Sequence, residues 1–383
     1  MKDKLKFGVL LIDNQGLSHY TSYLAKGLAK SRRILLLGLS VEEYRDTQAI
    51  NEKNITFYDL SAGLPKNTSL YNILLKKPLS LFRSLIRFTL FKNYDLIHFQ
   101  GHLPLIFLLI PLIKLRKKKI YWTIHDIDLR PSSIGRRGKL EIIYVRFITQ
   151  PKILGRFVDK IFVHGRKLSE NLCRSGISPN KIQTIPHFDY FYLVKEHDEH
   201  VLDIEKNKYI LFFGSIKPYK GISVLLEAII ILRQRYKENF EVLIAGKGNF
   251  TEQETILLKN MKNIVIRNEK ILNSNIPEIF HNAMMVILPY NEASQSGVLS
   301  LAYTFSKPVL VSDAGSLHEY VDNGITGFVF HKGNSEELAN LILRLLKDEK
   351  LCIELGNNGY QKLVSEMSLE KCCNIIEHTY LEN

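Results

Sequence analysis

The chain has 383 residues, 45% apolar and 24% charged, a composition that excludes a disordered chain and leaves room for two domains of ordinary size. Its net charge of +13 is concentrated, because residues 71–160 hold 18 Lys and Arg against 5 Asp and Glu while the remainder is neutral. Such a patch suits an anionic partner such as lipid headgroups, a phosphorylated substrate or nucleic acid.

In chain order, "MKDKLKFGVLLID" places basic residues before apolar ones, as a signal peptide does. Its apolar run is only six residues and no small-residue cleavage site follows, so it reads as a first buried strand. "SHYTSYLAKGLAKS" follows as an amphipathic helix and "ILLLGLS" as a second strand. In "KKPLSLFRSLIRFTLFKNY" (76–94), Phe82, Leu85, Ile86 and Leu90 stand near helical spacing with Lys and Arg on other faces; residues 136–157 mix charge and aromatics in the same way. Both stretches suit an anionic membrane surface, or a solvated face over a core helix. "LPLIFLLIPLI" (103–113) has eleven apolar residues where a bilayer crossing needs about 20, and so reads as a buried helix.

"YDLIHFQ", "KIYWTIHD", "DKIFVHG" and "KIQTIPH" continue the strands. After a charged, aperiodic seam at 188–209 the scheme repeats with "YILFFGSI", "FEVLIAG", "NIVIRN", "AMMVILPY" and "KPVLVSD". Strands this uniformly apolar are covered on both faces, which predicts parallel sheets with crossover helices. The expected fold is α/β, with two doubly wound Rossmann-like domains over 1–190 and 191–365 facing across a cleft. Cys173, Cys352, Cys372 and Cys373 have no metal-ligand spacing and read as reduced thiols of a cytosolic protein.

In open parallel sheets ligands bind at the carboxyl ends of the strands. Five strand-end loops carry suitable chemistry: "DNQGLSHYT" with Gly16, "HDIDLRPSS" with His125, "GSIKPYKGIS" with Gly214, Ser215, Lys217 and Lys220, "GKGN", and "AGSLHEYV" with Gly315 and Glu319. Glycine lets a backbone approach a ligand, a helix N-terminus offers free N–H groups, and lysine adds a full charge for a diphosphate. Each loop alone is an ordinary helix entry. Asp126-Ile127-Asp128 matches a metal-binding DxD pattern, yet a loop or capping role suits it better and no metal is expected. His164 and His187 read either as structural or as lining the site, and Glu319 could simply stabilise its own helix N-terminus.

"FFGSIKPYKGISVLLEA" resembles the phosphate-binding segment of the retaining nucleotide-sugar glycosyltransferases of family 4, which have the GT-B fold. "GLSHYTSYLAKGLA", "YDLIHFQGH", "YWTIHD", "KIQTIPHFDY" and the run "PYNEASQSGVLSLAYTFSKPVLVSDAGSLHEYVDNGITGFVF" are similar to other parts of that family. The resemblance implies that Lys220 holds the donor diphosphate, that His125 lies beneath the donor sugar, and that Gly16 faces the same phosphates. It gives Ser296, Gly297 and Val298 amide or hydroxyl contacts to the diphosphate, and has residues 366–383 fold back onto the first domain. No cofactor is implied beyond the nucleotide-sugar co-substrate.

The pattern departs from the family at two places. Two glutamates usual in the donor loop are here Ala293 and Leu301, and a shift by one pairs Glu292 with Ser300. This is the "SQSG" form, in which the phosphate grip passes to Ser294, Gln295 and Ser296. The family arginine after Gly214 is replaced by Ser215, with Lys217 two places on. The resulting expectation is a retaining, metal-independent transferase of bacterial surface-polysaccharide assembly. Its donor would be a nucleotide-sugar and its acceptor a saccharide or lipid-linked saccharide. It would work in the cytoplasm or peripherally on the inner face of the cell membrane, and bind no nucleic acid. A nucleotide-sugar epimerase of the same fold and a catalytically degenerate binding subunit are the alternatives.

Overall fold

A computed structural model of the chain describes residues 8–13, 18–38, 44, 47–59, 83, 86–87, 94–101, 109–125, 153, 155–195, 209–236, 239–259, 261–293 and 296–382. They form two compact units: Met1–Ile185 with Leu369–Asn383, and Pro186–Ser368.

The first unit is built on seven parallel strands: β1 (Gly8–Asp13), β2 (Arg33–Gly38), β3 (Ile55–Asp59), β4 (Leu96–Gln100), β5 (Lys119–Ile124), β6 (Lys160–Val163) and β7 (Ile182–Thr184). Their order in the sheet is β3-β2-β1-β4-β5-β6-β7, so the direction of winding reverses between β1 and β4. Helices α1 (Ser18–Ala29), α2 (Ile110–Leu115) and α3 (Arg166–Arg174) lie among them. Because side chains alternate across a strand, the sheet has two unlike faces. Leu10, Ile12, Ile97, Phe99, Trp122, Ile124, Ile161 and Val163 build an apolar core with Ile110 and Ile113 of α2 and Leu168 and Leu172 of α3. The alternate positions include buried His98, Gln100, Tyr121, Thr123 and Phe162.

The second unit has strands β8 (Tyr209–Phe213), β9 (Glu241–Ala245), β10 (Ile264–Arg267), β11 (Ala283–Leu288), β12 (Val309–Ser312) and β13 (Gly327–Phe330), all parallel in the order β10-β9-β8-β11-β12-β13. Its helices are α4 (Phe191–Lys195), α5 (Ile222–Arg235), α6 (Glu252–Lys259), α7 (Ile276–His281), α8 (Gly297–Thr304), α9 (Ser335–Lys347) and α10 (Glu349–Glu366). The last helix, α11 (Leu369–Leu381), belongs to the first unit, where it packs on α1. A side chain at Gly27 of α1 would collide with Cys373 of α11.

The units divide at Ile185/Pro186 rather than at residue 190. Pro186–Tyr190 goes with the second unit because it is bonded to α8. Ser300 Oγ donates to the His187 carbonyl at 3.2 Å, and Tyr190 N–H donates to Thr304 Oγ1 at 3.2 Å. Of the eleven-residue apolar run, residues 109–113 are described, and α2, which begins there, buries Ile110 and Ile113 but leaves Leu112 exposed, so it covers the core with one face only.

Candidate active site

In the second unit the winding reverses between β8 and β11, which is where open parallel sheets bind ligands. The loop after β8 ends in a 3-10 turn, Pro218–Lys220, followed by Gly221 at φ 67°. Gly221 passes so close to the Pro289 carbonyl that a Cβ would overlap it. Asn291 N–H then donates to the Tyr219 carbonyl at 2.8 Å. The same stitching links β11 to β12. Ser312 Oγ donates to the Tyr290 carbonyl at 2.5 Å, Ser316 N–H donates to the Ala293 carbonyl at 3.3 Å, and Gly315, at φ 59°, leaves no room for a side chain against Ala293. Three loops are thus held as one piece.

On this platform the Lys220 ammonium lies 3.7 Å from the ring centre of Tyr290, whose hydroxyl is 3.2 Å from Ser296 Oγ. Ser296 precedes α8. Its backbone is extended (φ −147°, ψ 118°), and no side chain caps the helix among the described residues. The neighbouring helix start differs. Buried Glu254 accepts from Ser223 N–H in the first turn of α5 at 3.2 Å and from Thr251 N–H at 2.7 Å. The positive end of α5 therefore faces a carboxylate of the chain itself, while at α8 no described side chain takes that place.

Of the expected donor-binding residues, Gly214 (φ 119°) stands at the end of β8, and a Cβ there would lie 3.6 Å from Val298 Cγ2, so these two are neighbours. Ser215 is half-buried and Lys217 exposed. A side chain at Gly297 would lie 2.6 Å from the Tyr190 hydroxyl. Glu319 is half-buried, but the helix expected to open there is a single 3-10 turn, Leu317–Tyr320, too short for a helix dipole to account for the carboxylate. Where the family keeps its second glutamate, Leu301 is buried in the apolar core, and the shifted alternative, Ser300, is bonded to His187. Gly16, Ser294, Gln295, Asp126 and Asp128 lie outside the described residues. Among the described residues no group of three or more His, Cys, Asp and Glu could hold a metal ion.

His125 belongs to the first unit, at the end of β5, where it is buried against the edge of Tyr20 (ring centres 4.7 Å) and beside His164 (5.1 Å). Beneath them His98 is bracketed by Tyr380 on Nδ1 (2.5 Å) and Thr123 Oγ1 on Nε2 (2.7 Å). Burial, aided by the charge on His125, pushes the His98 pKa down to about 3. Burial likewise lowers that of His187 to about 4, against a raising hydrogen bond that its ring donates to the backbone of Phe188. Gln100, at the end of β4 beside the winding reversal, is fully buried, and no described group hydrogen-bonds its amide. Sequence reasoning missed Tyr290, Tyr190 and Tyr20; the signal available was an aromatic residue directly after a strand-end proline in "LPYNE".

Residues 15–188 match the family described as Glycosyltransferase Family 4, and residues 194–362 the family described as Glycosyl transferases group 1. The capsular polysaccharide biosynthesis glycosyltransferase CapM of Staphylococcus aureus is 27% identical over 183 residues, 46% of this chain and 47% of that one. The N,N'-diacetylbacillosaminyl-diphospho-undecaprenol alpha-1,3-N-acetylgalactosaminyltransferase of Campylobacter jejuni is 26% identical over 251 residues, covering 62% and 64%. The chain spans about half the length of the first curated relatives it matches. Anabaena HepE, solved with UDP and glucose, superposes with a TM-score of 0.72 over 98% of this chain and all of its own, at 17% identity, which speaks for the GT-B fold. With its two halves matching these families in order, on two parallel sheets of GT-B type, the chain belongs to the group 1 glycosyltransferases.

Proposed function

We propose that the chain is a retaining, metal-independent glycosyltransferase that takes a nucleoside-diphosphate sugar as donor, with a lipid-linked saccharide of surface-polysaccharide assembly as acceptor. The observation that carries the donor half is the link Lys220–Tyr290–Ser296 at the β8/β11 reversal, where a cation and the start of a helix are joined through one ring. A diphosphate matches this in charge and in hydrogen-bond acceptors. The capsular polysaccharide role of the Staphylococcus relative and the undecaprenyl-diphosphate-linked acceptor of the Campylobacter one support such a setting, and the HepE complex supports a nucleotide in such a fold.

In the proposed reaction the bond from sugar C1 to the diphosphate oxygen breaks and the acceptor hydroxyl bonds C1 on the same face. Its proton passes to the leaving phosphate. Lys220 and the first N–H groups of α8 stabilise the charge that develops on the diphosphate. His125 lies beneath the donor sugar, and Glu319 completes the catalytic set. Gly214, Ser215, Lys217, Gly297, Val298 and Gly315 shape the donor site, with Ser294, Gln295 and Gly16 contributing from outside the described residues.

The acceptor half rests on the basic surface of the first unit. There Leu112, Leu115, Ile153 and Phe157 are exposed among Arg116, Lys117 and Arg156, and Lys114 ties α2 to Asp159 before β6 at 2.5 Å. Half-buried Ile86 packs on the core while Arg83 and Arg87 are exposed. Among the described residues no helix is long and apolar enough to cross a membrane. A peripheral position on the inner face of the cell membrane fits such a surface.

Thermal unfolding with UDP, GDP, ADP and dTDP, each with and without magnesium, tests the donor half. A ligand at ~100 times its dissociation constant adds about 2.7 kcal/mol, a rise of several degrees. One nucleotide that stabilises the chain equally with and without magnesium supports the reading. Stabilisation by none, or only with magnesium, contradicts it. Product analysis then separates transfer with retained configuration from epimerisation, which converts the donor without an acceptor.

A further inference from the structure

The family motifs draw attention to Lys220 and to the start of α8, but the side chain that joins them is Tyr290. A lysine on a flexible four-carbon stem finds a fixed place only if something holds its head. Here the ring of Tyr290 does so at 3.7 Å, with Tyr219 flanking at 5.4 Å. The negative face of an aromatic ring attracts an ammonium and fixes where it stands. The ring is itself immobile. Tyr290 is buried, its carbonyl accepts from Ser312, and the preceding Pro289 carbonyl is packed against Gly221. Its hydroxyl meets Ser296 Oγ at 3.2 Å, so the same ring reaches the residue that opens α8.

We infer that Tyr290 is a positioning residue for the donor diphosphate, its ring fixing the Lys220 ammonium while its hydroxyl fixes Ser296, so that both halves of the anion cradle are set by one side chain. This rests on the donor reading above.

The test is a double-mutant cycle on binding of UDP, GDP, ADP and dTDP, measured by calorimetry on the full chain. Tyr290→Leu is expected to weaken binding about tenfold in the native background and about threefold in Lys220→Ala, while Tyr290→Phe, which keeps the ring and loses only the hydroxyl's hold on Ser296, weakens it about threefold. Equal losses in both backgrounds would mean that Tyr290 acts only through general packing, and would overturn the inference. Because Tyr290→Leu leaves a cavity, a second series replaces Tyr290 with progressively fluorinated phenylalanines, which keep the shape and drain the charge of the ring face. Affinity should fall stepwise with Lys220 present and stay flat in Lys220→Ala. A flat series with Lys220 present removes the inference and leaves the donor reading standing. If the native chain binds none of the four nucleotides, the donor reading fails and the inference with it.

Discussion

His98 and Tyr380, 282 residues apart in the chain, meet at 2.5 Å inside the first unit. Both are buried, and His98 also meets Thr123, so its neutral ring donates on one side and accepts on the other. Tyr380→Phe removes one partner and leaves a buried ring nitrogen unpaired, which costs about 1–3 kcal/mol. The only tryptophan, Trp122, is buried in the same unit and reports its unfolding directly. Urea titrations followed by its fluorescence should show the loss; an unchanged midpoint would mean that the hydroxyl contributes nothing.

Stability should fall on mild acidification. His98 and His187 have native pKa values of about 3 and about 4, below the unfolded value near 6.5. Between those limits the unfolded chain binds protons that the native chain refuses. Stability is therefore full above pH 6.5 and declines as the pH drops, each histidine costing about 2 kcal/mol by pH 5. His98→Gln should flatten the pH dependence seen by Trp122 fluorescence between pH 6.5 and 5. An equal slope in the variant would assign the effect elsewhere.

Gly315→Ala is expected to damage the donor site without touching a ligand. At φ 59°, with the Ala293 carbonyl where the Cβ would go, the variant must push apart the loops after β11 and β12. A cost of about 1–3 kcal/mol is typical of such strain. Loss of nucleotide binding should accompany it. Normal stability together with normal binding would show that the two loops need not stay stitched.

Lys220→Ala and His125→Ala should separate binding from turnover. Removing the Lys220 ammonium should weaken nucleoside diphosphate affinity at least about tenfold, in line with the loss of a charge-assisted contact. His125→Ala should leave that affinity within about twofold and abolish transfer, because His125 is assigned to the sugar rather than to the phosphates. Full transfer by either variant would contradict its role.

Vesicle flotation tests the acceptor face. Vesicles with anionic headgroups should carry the chain upward at low salt, and neutral vesicles should not, since basic side chains contribute about 1 kcal/mol each near an anionic surface. Replacing exposed Leu115 and Phe157 with Ser should release it. Equal flotation on both vesicle types would point to something other than charge.

How much of this was legible in the sequence depends on which physics controlled each part. The apolar strands and crossover helices announced parallel sheets, because burial on both faces leaves a continuous signature. The strand order, and with it the reversal where Lys220 sits, came from the structure alone. The site's internal geometry was not legible. That Tyr290 lies under Lys220 depends on two loops brought together by Gly221 against Pro289, a long-range packing relation with no local signature. Glu254 is the same kind of case. A surface-looking glutamate in "NFTEQET" turns out to be buried and to occupy the start of α5, which reverses the naive choice of that helix as the phosphate holder. The boundary at Pro186 was hidden too, since the hydroxyls of Ser300 and Thr304 that claim the segment lie over a hundred residues downstream.

The return of α11 has a consequence for how the protein is made. The strands of the first unit leave the ribosome before the second unit, yet α11, which packs on α1 and supplies Tyr380 to His98, is translated after the whole second unit. The half begun first is therefore finished last. During synthesis its polar layer waits with His98 missing one partner, while the second unit, continuous from Pro186 to Ser368, can close on its own. A nascent chain stalled before residue 369 would present one mature half and one unsealed half, and quality-control proteases should cut the N-terminal side of such a chain first.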